Sequence, residues 1–250
     1  MKLRNLFASI AAIAFASQLH AAATFSGNGG TGFGGPVGNG SLNITDDGTN
    51  LTFTFNRGSS GNFNDFLVFY FDSQAGGAAS LPISGEIGSP FSGRRAIVNE
   101  FGSGLTFPTA FTSDYGFALK SNGSASNHLF TTPSGANANT VGFVSQPTVS
   151  NFGNTAASSY SWSIPVTSLG MTANSGATFK FVSTYLNPND GGGFDATFRS
   201  NEAFGASLGG SNLGFSNLTF PSSLSYTIVP EPTSAALGLI GSLLIFRRRR

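Results

Sequence analysis

Short apolar runs of five to seven residues recur about every ten residues along this chain, with Gly, Asn, Ser and Asp clustered between them. Runs of that length suit strands, and punctuation at that spacing suits a sandwich or barrel; no long stretch carries the 3.6-residue period of an amphipathic helix. In Leu51-Thr52-Phe53-Thr54-Phe55 the apolar residues share one face and the threonines the other, the pattern of a half-buried strand. Tyr160, Trp162 and Ile164 alternate in the same way, as do Phe179 and Phe181 around Lys180, and Leu224, Tyr226 and Ile228. Phe66-Leu67-Val68-Phe69-Tyr70-Phe71 is apolar throughout and reads as a central strand covered on both sides, ended by Asp72-Ser73-Gln74 and Gly76-Gly77. The expectation is an all-β domain over 24–229: a single antiparallel β-sandwich, jelly-roll-like, of ten to thirteen strands.

Composition says what such a sandwich must be made of. Only 9% of residues are charged, against 34 Gly and 26 Phe, so the surface is built from Ser, Thr, Asn and Gly over an aromatic interior. The formal net charge of +1 hides an asymmetry: 24–229 holds six basic and ten acidic residues, a body charge of −4. That argues against nucleic acid as a partner, which needs clustered Lys and Arg. There is no cysteine, which excludes disulfides, thiolate zinc sites and a Cys nucleophile.

The remaining basic residues mark the two ends. Residues 1–23 combine Lys2 and Arg4 with an apolar core from Leu6 to Ala16, followed by Ala21 and Ala23 as the small residues of a signal-peptidase site, so we expect a signal helix cleaved after Ala23. At the other end, Pro230-Glu231-Pro232 precedes an apolar stretch, 233–246, and then Arg247, Arg248, Arg249 and Arg250. Pro232 suits a first helical turn and Glu231 the positive end of the helix dipole. Fourteen residues make about 21 Å of helix against a hydrocarbon core of about 30 Å. Such a short membrane helix is accommodated by bilayer thinning and snorkelling, with the arginines acting as a cytoplasmic stop.

The motif, the Ala/Gly/Leu helix and the terminal Arg run, in that order over 230–250, resemble the PEP-CTERM sorting signal. The resemblance implies an exosortase-type membrane enzyme as partner, cleavage near Pro-Glu-Pro, and release or attachment at the surface of a Gram-negative-type bacterium, often within exopolysaccharide. The apolar helix is short for that family, and no Ser/Thr-rich spacer precedes the motif. A second, patchier resemblance covers about half the body. The run 64–77, the segment Tyr160-Ser161-Trp162-Ser163-Ile164-Pro165-Val166 with Ser168-Leu169-Gly170, and Arg199-Ser200-Asn201-Glu202 are similar to parts of secreted carbohydrate-binding-module and DOMON-type sandwiches. This likeness implies a jelly-roll or related sandwich that binds sugars or calcium.

Catalytic chemistry is sparse. His128 is the one histidine beyond the signal peptide, and Asn127-His128-Leu129 carries no nucleophile elbow, so a Ser-His-Asp triad is not expected. Glu86, Glu100 and Glu202 could serve a glycosidase only if two converged; their spacing gives no sign of it, and surface or turn roles are the default, with Glu100 following a strand-like Ile97-Val98. Asp190 and Asp195, in the Gly-rich loop Asn187-Pro188-Asn189-Asp190-Gly191-Gly192-Gly193-Phe194-Asp195, are the candidate calcium ligands, and Asp46-Asp47-Gly48 is a weaker one. Both patterns also make plain turns, and neither has EF-hand spacing, so no cofactor is expected beyond that one candidate. The Gly-rich stretch 27–40 lacks the Lys-Ser/Thr of a phosphate loop and reads as a flexible lead-in.

Three functions compete on these grounds. The leading expectation is a non-enzymatic surface or matrix protein associated with polysaccharide. The alternatives are a secreted polysaccharide hydrolase or carbohydrate-binding module using surface carboxylates, and an outer-membrane barrel, for which an arginine tail is a poor fit.

Overall fold

The computed structural model describes residues 21–81, 92–98, 104–123, 126–136, 140–188, 198–210 and 212–230. These residues form fourteen strands and one short helix: β1 (Ala21–Ser26), β2 (Ser41–Asp46), β3 (Asn50–Asn56), β4 (Phe66–Asp72), β5 (Ser80–Leu81), α1 (Ser92–Val98), β6 (Leu105–Thr106), β7 (Tyr115–Leu119), β8 (His128–Thr131), β9 (Phe143–Ser145), β10 (Ser159–Pro165), β11 (Thr178–Asn187), β12 (Phe198–Arg199), β13 (Leu218–Thr219) and β14 (Leu224–Thr227). A 3₁₀ turn, Val166–Leu169, follows β10.

Two antiparallel sheets carry the fold. One runs β1-β2-β3-β10; the other runs β12-β11-β4-β7-β8-β9, with β14 beside β11. The alternation in β3 and β10 sends Leu51, Phe53, Phe55, Tyr160, Trp162 and Ile164 inward, leaving Thr52, Thr54, Ser161 and Ser163 on the outer face. Facing them across the sandwich are Leu67, Phe69 and Phe71 of β4 and Phe179, Phe181 and Tyr185 of β11, in one core cluster. Trp162 stacks between Phe53 and Phe117, with centroids 5.3 and 5.4 Å away. At about 1.5–3 kcal/mol for each fully buried large side chain, this cluster is the main source of stability.

β4 lies between β11 and β7 and is buried on both faces. Its second face, Phe66, Val68 and Tyr70, packs into a separate core with Ala96, Ile97, Leu105, Phe107 and Phe220. A third layer, made of α1 and the small sheet β13-β6-β5, covers that side. The single sandwich read from the sequence is therefore a sandwich with an added layer, which the doubly apolar β4 requires.

Three expectations need correction. The strand count exceeds ten to thirteen because β5, β6, β12 and β13 are two-residue strands too short to leave a pattern. Ile97-Val98 is the end of a helix rather than a strand: a pair of apolar residues carries no period, and here the Ile97 carbonyl accepts the Tyr70 hydroxyl at 2.8 Å. The stretch 27–40 is no flexible lead-in, since its backbone is bonded into the domain (Asn28 N to Ala203 O, 2.9 Å; Gly29 N to Gly38 O, 2.8 Å).

Candidate functional site

Both ends of the described chain meet at one carboxylate. Asp46 closes β2, and the turn that follows folds Gly48 N back onto its Oδ1 at 2.9 Å. The same Oδ1 accepts Val229 N at 3.1 Å, and Oδ2 lies 2.6 Å from the Tyr226 hydroxyl. That hydroxyl is also 3.0 Å from the Ala21 carbonyl, so its one proton serves two acceptors. Burial first, and then the adjacent carboxylate, push the Tyr226 phenol far above its ordinary range and keep it a donor. The neighbouring Asp47 is an exposed turn carboxylate. Bonds from the Thr49 hydroxyl and from Asn50 N and Thr49 N hold it well below the usual range, in a turn of the kind that Asp makes with its own backbone.

Residues Ala21 and Ala23, the expected cleavage-site residues, lie within β1, where they pair with Asp46 and Ile44. Cleavage after Ala23 leaves β1 as Thr24 to Ser26, paired with Asn43 to Ser41, and leaves Asp46 as the Tyr226 acceptor. The domain fold thus reaches three residues into the expected signal peptide. Pro230 is exposed and follows directly on the Val229 bond. Glu231, Pro232 and Arg247–Arg250 lie outside the described residues, as do residues 1–20, Asp190 and Asp195.

Glu202 contradicts the default surface role. It is fully buried, and its carboxylate accepts four backbone N–H groups: Phe33 at 2.7 Å and Gly35 at 3.1 Å on Oε1, Val37 at 2.9 Å and Gly38 at 3.1 Å on Oε2. The Ser200 hydroxyl adds a fifth contact at 3.2 Å, and Asn201 Oδ1 takes Gly32 N at 2.9 Å. Successive amides aimed at one anion form a nest, which is why the stretch 27–40 is ordered. A Cβ on Gly38 would collide with the Gly30 carbonyl, so the wrap needs glycine there. With both oxygens engaged by backbone amides, Glu202 anchors the stretch 27–40; Glu86 and Glu100 lie outside the described residues.

A polar recess opens where the turn after β4 meets β7 and β8. Gln74, Ala75, Gly77, Asp114, Tyr115, Thr131 and Pro133 are among its lining residues, and it encloses about 260 Å³. Next to Gln74, the Ser73 hydroxyl bonds the Leu169 carbonyl at 2.8 Å, tying the β4 turn to the 3₁₀ turn. Asp114 is only 9% exposed. Its Oδ2 accepts Ser73 N and Gln74 N, both at 2.8 Å, whereas its Oδ1 accepts no bond from the described residues. Burial raises the Asp114 carboxyl above its usual range against the pull of those two amides, and nearby Asp72 adds to the rise. Asp72 in turn is 3.5 Å from Lys180 Nζ.

His128 sits in β8, its ring 5.9 Å from Phe130 and 5.5 Å from Phe143, with burial holding it below its usual range. Among the described residues no three His, Cys, Asp or Glu side chains gather to hold a metal ion, and no helix is long and apolar enough to cross a membrane. Reading the sequence missed Asp114 and the anchoring role of Glu202. The Asp72-Ser73-Gln74 strand end did signal a turn, but nothing in the sequence linked it to residue 114. No family model matches this chain, and neither the curated proteins nor the solved structures include a match to it.

Proposed function

We propose that this chain is an exported, non-enzymatic cell-surface or extracellular-matrix protein of a Gram-negative-type bacterium, sorted by its C-terminal Pro-Glu-Pro signal and associated with exopolysaccharide. A signal peptidase removes 1–23. The apolar helix and Arg247–Arg250 then hold the intermediate in the membrane, where an exosortase-type enzyme acts near Pro230-Glu231-Pro232 and passes the β-domain to the surface.

The observation that carries the reading is the position of the last backbone bond among the described residues. Val229 N is fastened to Asp46, and the motif starts at the next residue, exposed Pro230. A processing enzyme needs accessible chain, and the motif begins at an exposed residue directly after one that is bonded into the domain.

The test is substitution in the native host. Replacing Glu231 by Ala, and separately Arg247–Arg250 by Ser, is expected to leave the unprocessed chain in the membrane fraction or misroute it. Trafficking and chain length unchanged in both variants would overturn the proposal.

A further inference from the structure

The recess at Asp114 has the makings of a ligand site rather than of a packing defect. Asp114, 9% exposed as a residue, satisfies Oδ2 with two backbone amides, while Oδ1 takes no bond from the described residues where the side chain lines the recess. Oδ1 stays open to solvent at the recess, where an O–H or N–H of a ligand can take the place of water as its donor. Gly77 keeps the approach clear: its φ is +81°, and a Cβ there would stand 2.6 Å from Asp114 Oδ1. Beside the carboxylate, half-buried Tyr115 supplies an apolar ring with a polar tip, and Gln74 an exposed amide at the rim.

Size and charge narrow the ligand class. At about 260 Å³ the recess has room for one ring of a longer polymer. A cation is disfavoured because calcium asks for about six to eight oxygen ligands and no three acidic or His side chains gather among the described residues. An acidic sugar would bring a second negative charge next to Asp114, with Asp72 already near. A neutral polyhydroxylated ring supplies hydroxyl donors for Oδ1, where an O–H···O⁻ bond is strong, and a face to lie along Tyr115.

We propose that this recess binds one neutral sugar ring of a polysaccharide, with Asp114 Oδ1 accepting its hydroxyls beside Tyr115 and Gly77 holding the way open. The inference rests on the polysaccharide part of the reading above and identifies where on the domain that association is made.

The test is affinity electrophoresis of the full chain in a sugar-free detergent, through gels containing dextran, mannan, galactan or hydroxyethyl cellulose, with anionic alginate in parallel. At least one neutral polymer retards the wild type and alginate does not. Asp114→Asn, which keeps the shape but turns an N–H₂ toward the recess or toward the Ser73 and Gln74 amides, weakens that retardation about tenfold or more at unchanged circular dichroism. Gln74→Ala at the exposed rim weakens it less, and Ser163→Ala on the far sheet leaves it as it was. The proposal is overturned if Asp114→Asn binds as tightly as wild type, if alginate alone retards the chain, if none of the neutral polymers does, or if calcium gives a thermal shift that Asp114→Asn erases. These readouts are independent of how the termini are processed, so failure of the sorting signal and failure of this site are told apart.

Discussion

The Tyr226 hydroxyl lies 2.6 Å from Asp46 Oδ2, across 180 residues of chain, and this contact fastens the last strand to the first sheet. The two residues act as a staple, because Asp46 also holds Val229 N and the Gly48 turn. Tyr226→Phe removes a bond to a charged acceptor and is expected to cost about 1.5–3 kcal/mol. Asp46→Ala releases Val229 as well. Amide hydrogen exchange should then rise at 226–229 well before the rest of the domain responds, and uniform protection there would show that the staple holds nothing.

Glu202 makes a sharper case. Truncation to Ala strips the partner from four backbone amides and is expected to destabilise the domain by about 3–5 kcal/mol, read as a lower urea midpoint. Glu202→Gln keeps an oxygen acceptor but turns a donor toward amides that need acceptors, so its cost is intermediate. Limited proteolysis of Glu202→Ala should cut first within 27–40, the segment that the carboxylate organises.

Trp162, the chain's one tryptophan, reports on the main core because it is buried between Phe53 and Phe117. Its emission should be blue-shifted in the native protein and move red in a single transition on unfolding. Phe69→Ala, in contact with Trp162 at 5.8 Å, is expected to cost about 3–5 kcal/mol by that signal, and Phe69→Asp should prevent folding.

The Asp114 carboxyl sets a direction for pH dependence. Its folded pKa is raised, so the native state holds its proton more tightly than the unfolded chain does, whose carboxyl titrates near 3.9. That contribution is fully present below the unfolded pKa and is lost as pH rises through the folded one. The urea midpoint of Asp114→Asn relative to wild type should therefore climb between acid and neutral pH; a difference that is flat with pH would mean that burial does not perturb this group.

The layers of the fold could be read from residue pattern wherever period and length agreed. The two-by-two alternation of Leu51, Phe53 and Phe55, and the doubly apolar Phe66–Phe71 segment, specify a half-buried and a central strand with no help from context. What escaped was everything made by chain closure at long range. Glu202 and the glycines of 27–40 are about 165 residues apart, and a glycine run reads the same whether it wraps an anion or hangs free. Asp114 meets the Ser73 and Gln74 amides only because β4 and β7 pair, a register that no local pattern encodes. Ile97-Val98 failed for a simpler reason: two apolar residues fit either period.

The measurement that bears most directly on the central claim is intact-mass and terminal-peptide mass spectrometry of the protein recovered from the surface of its native host. The expected termini are Thr24 and a residue close to Pro230, with the Arg247–Arg250 run gone. Chains that reach the surface with Met1 and Arg250 still in place would contradict it.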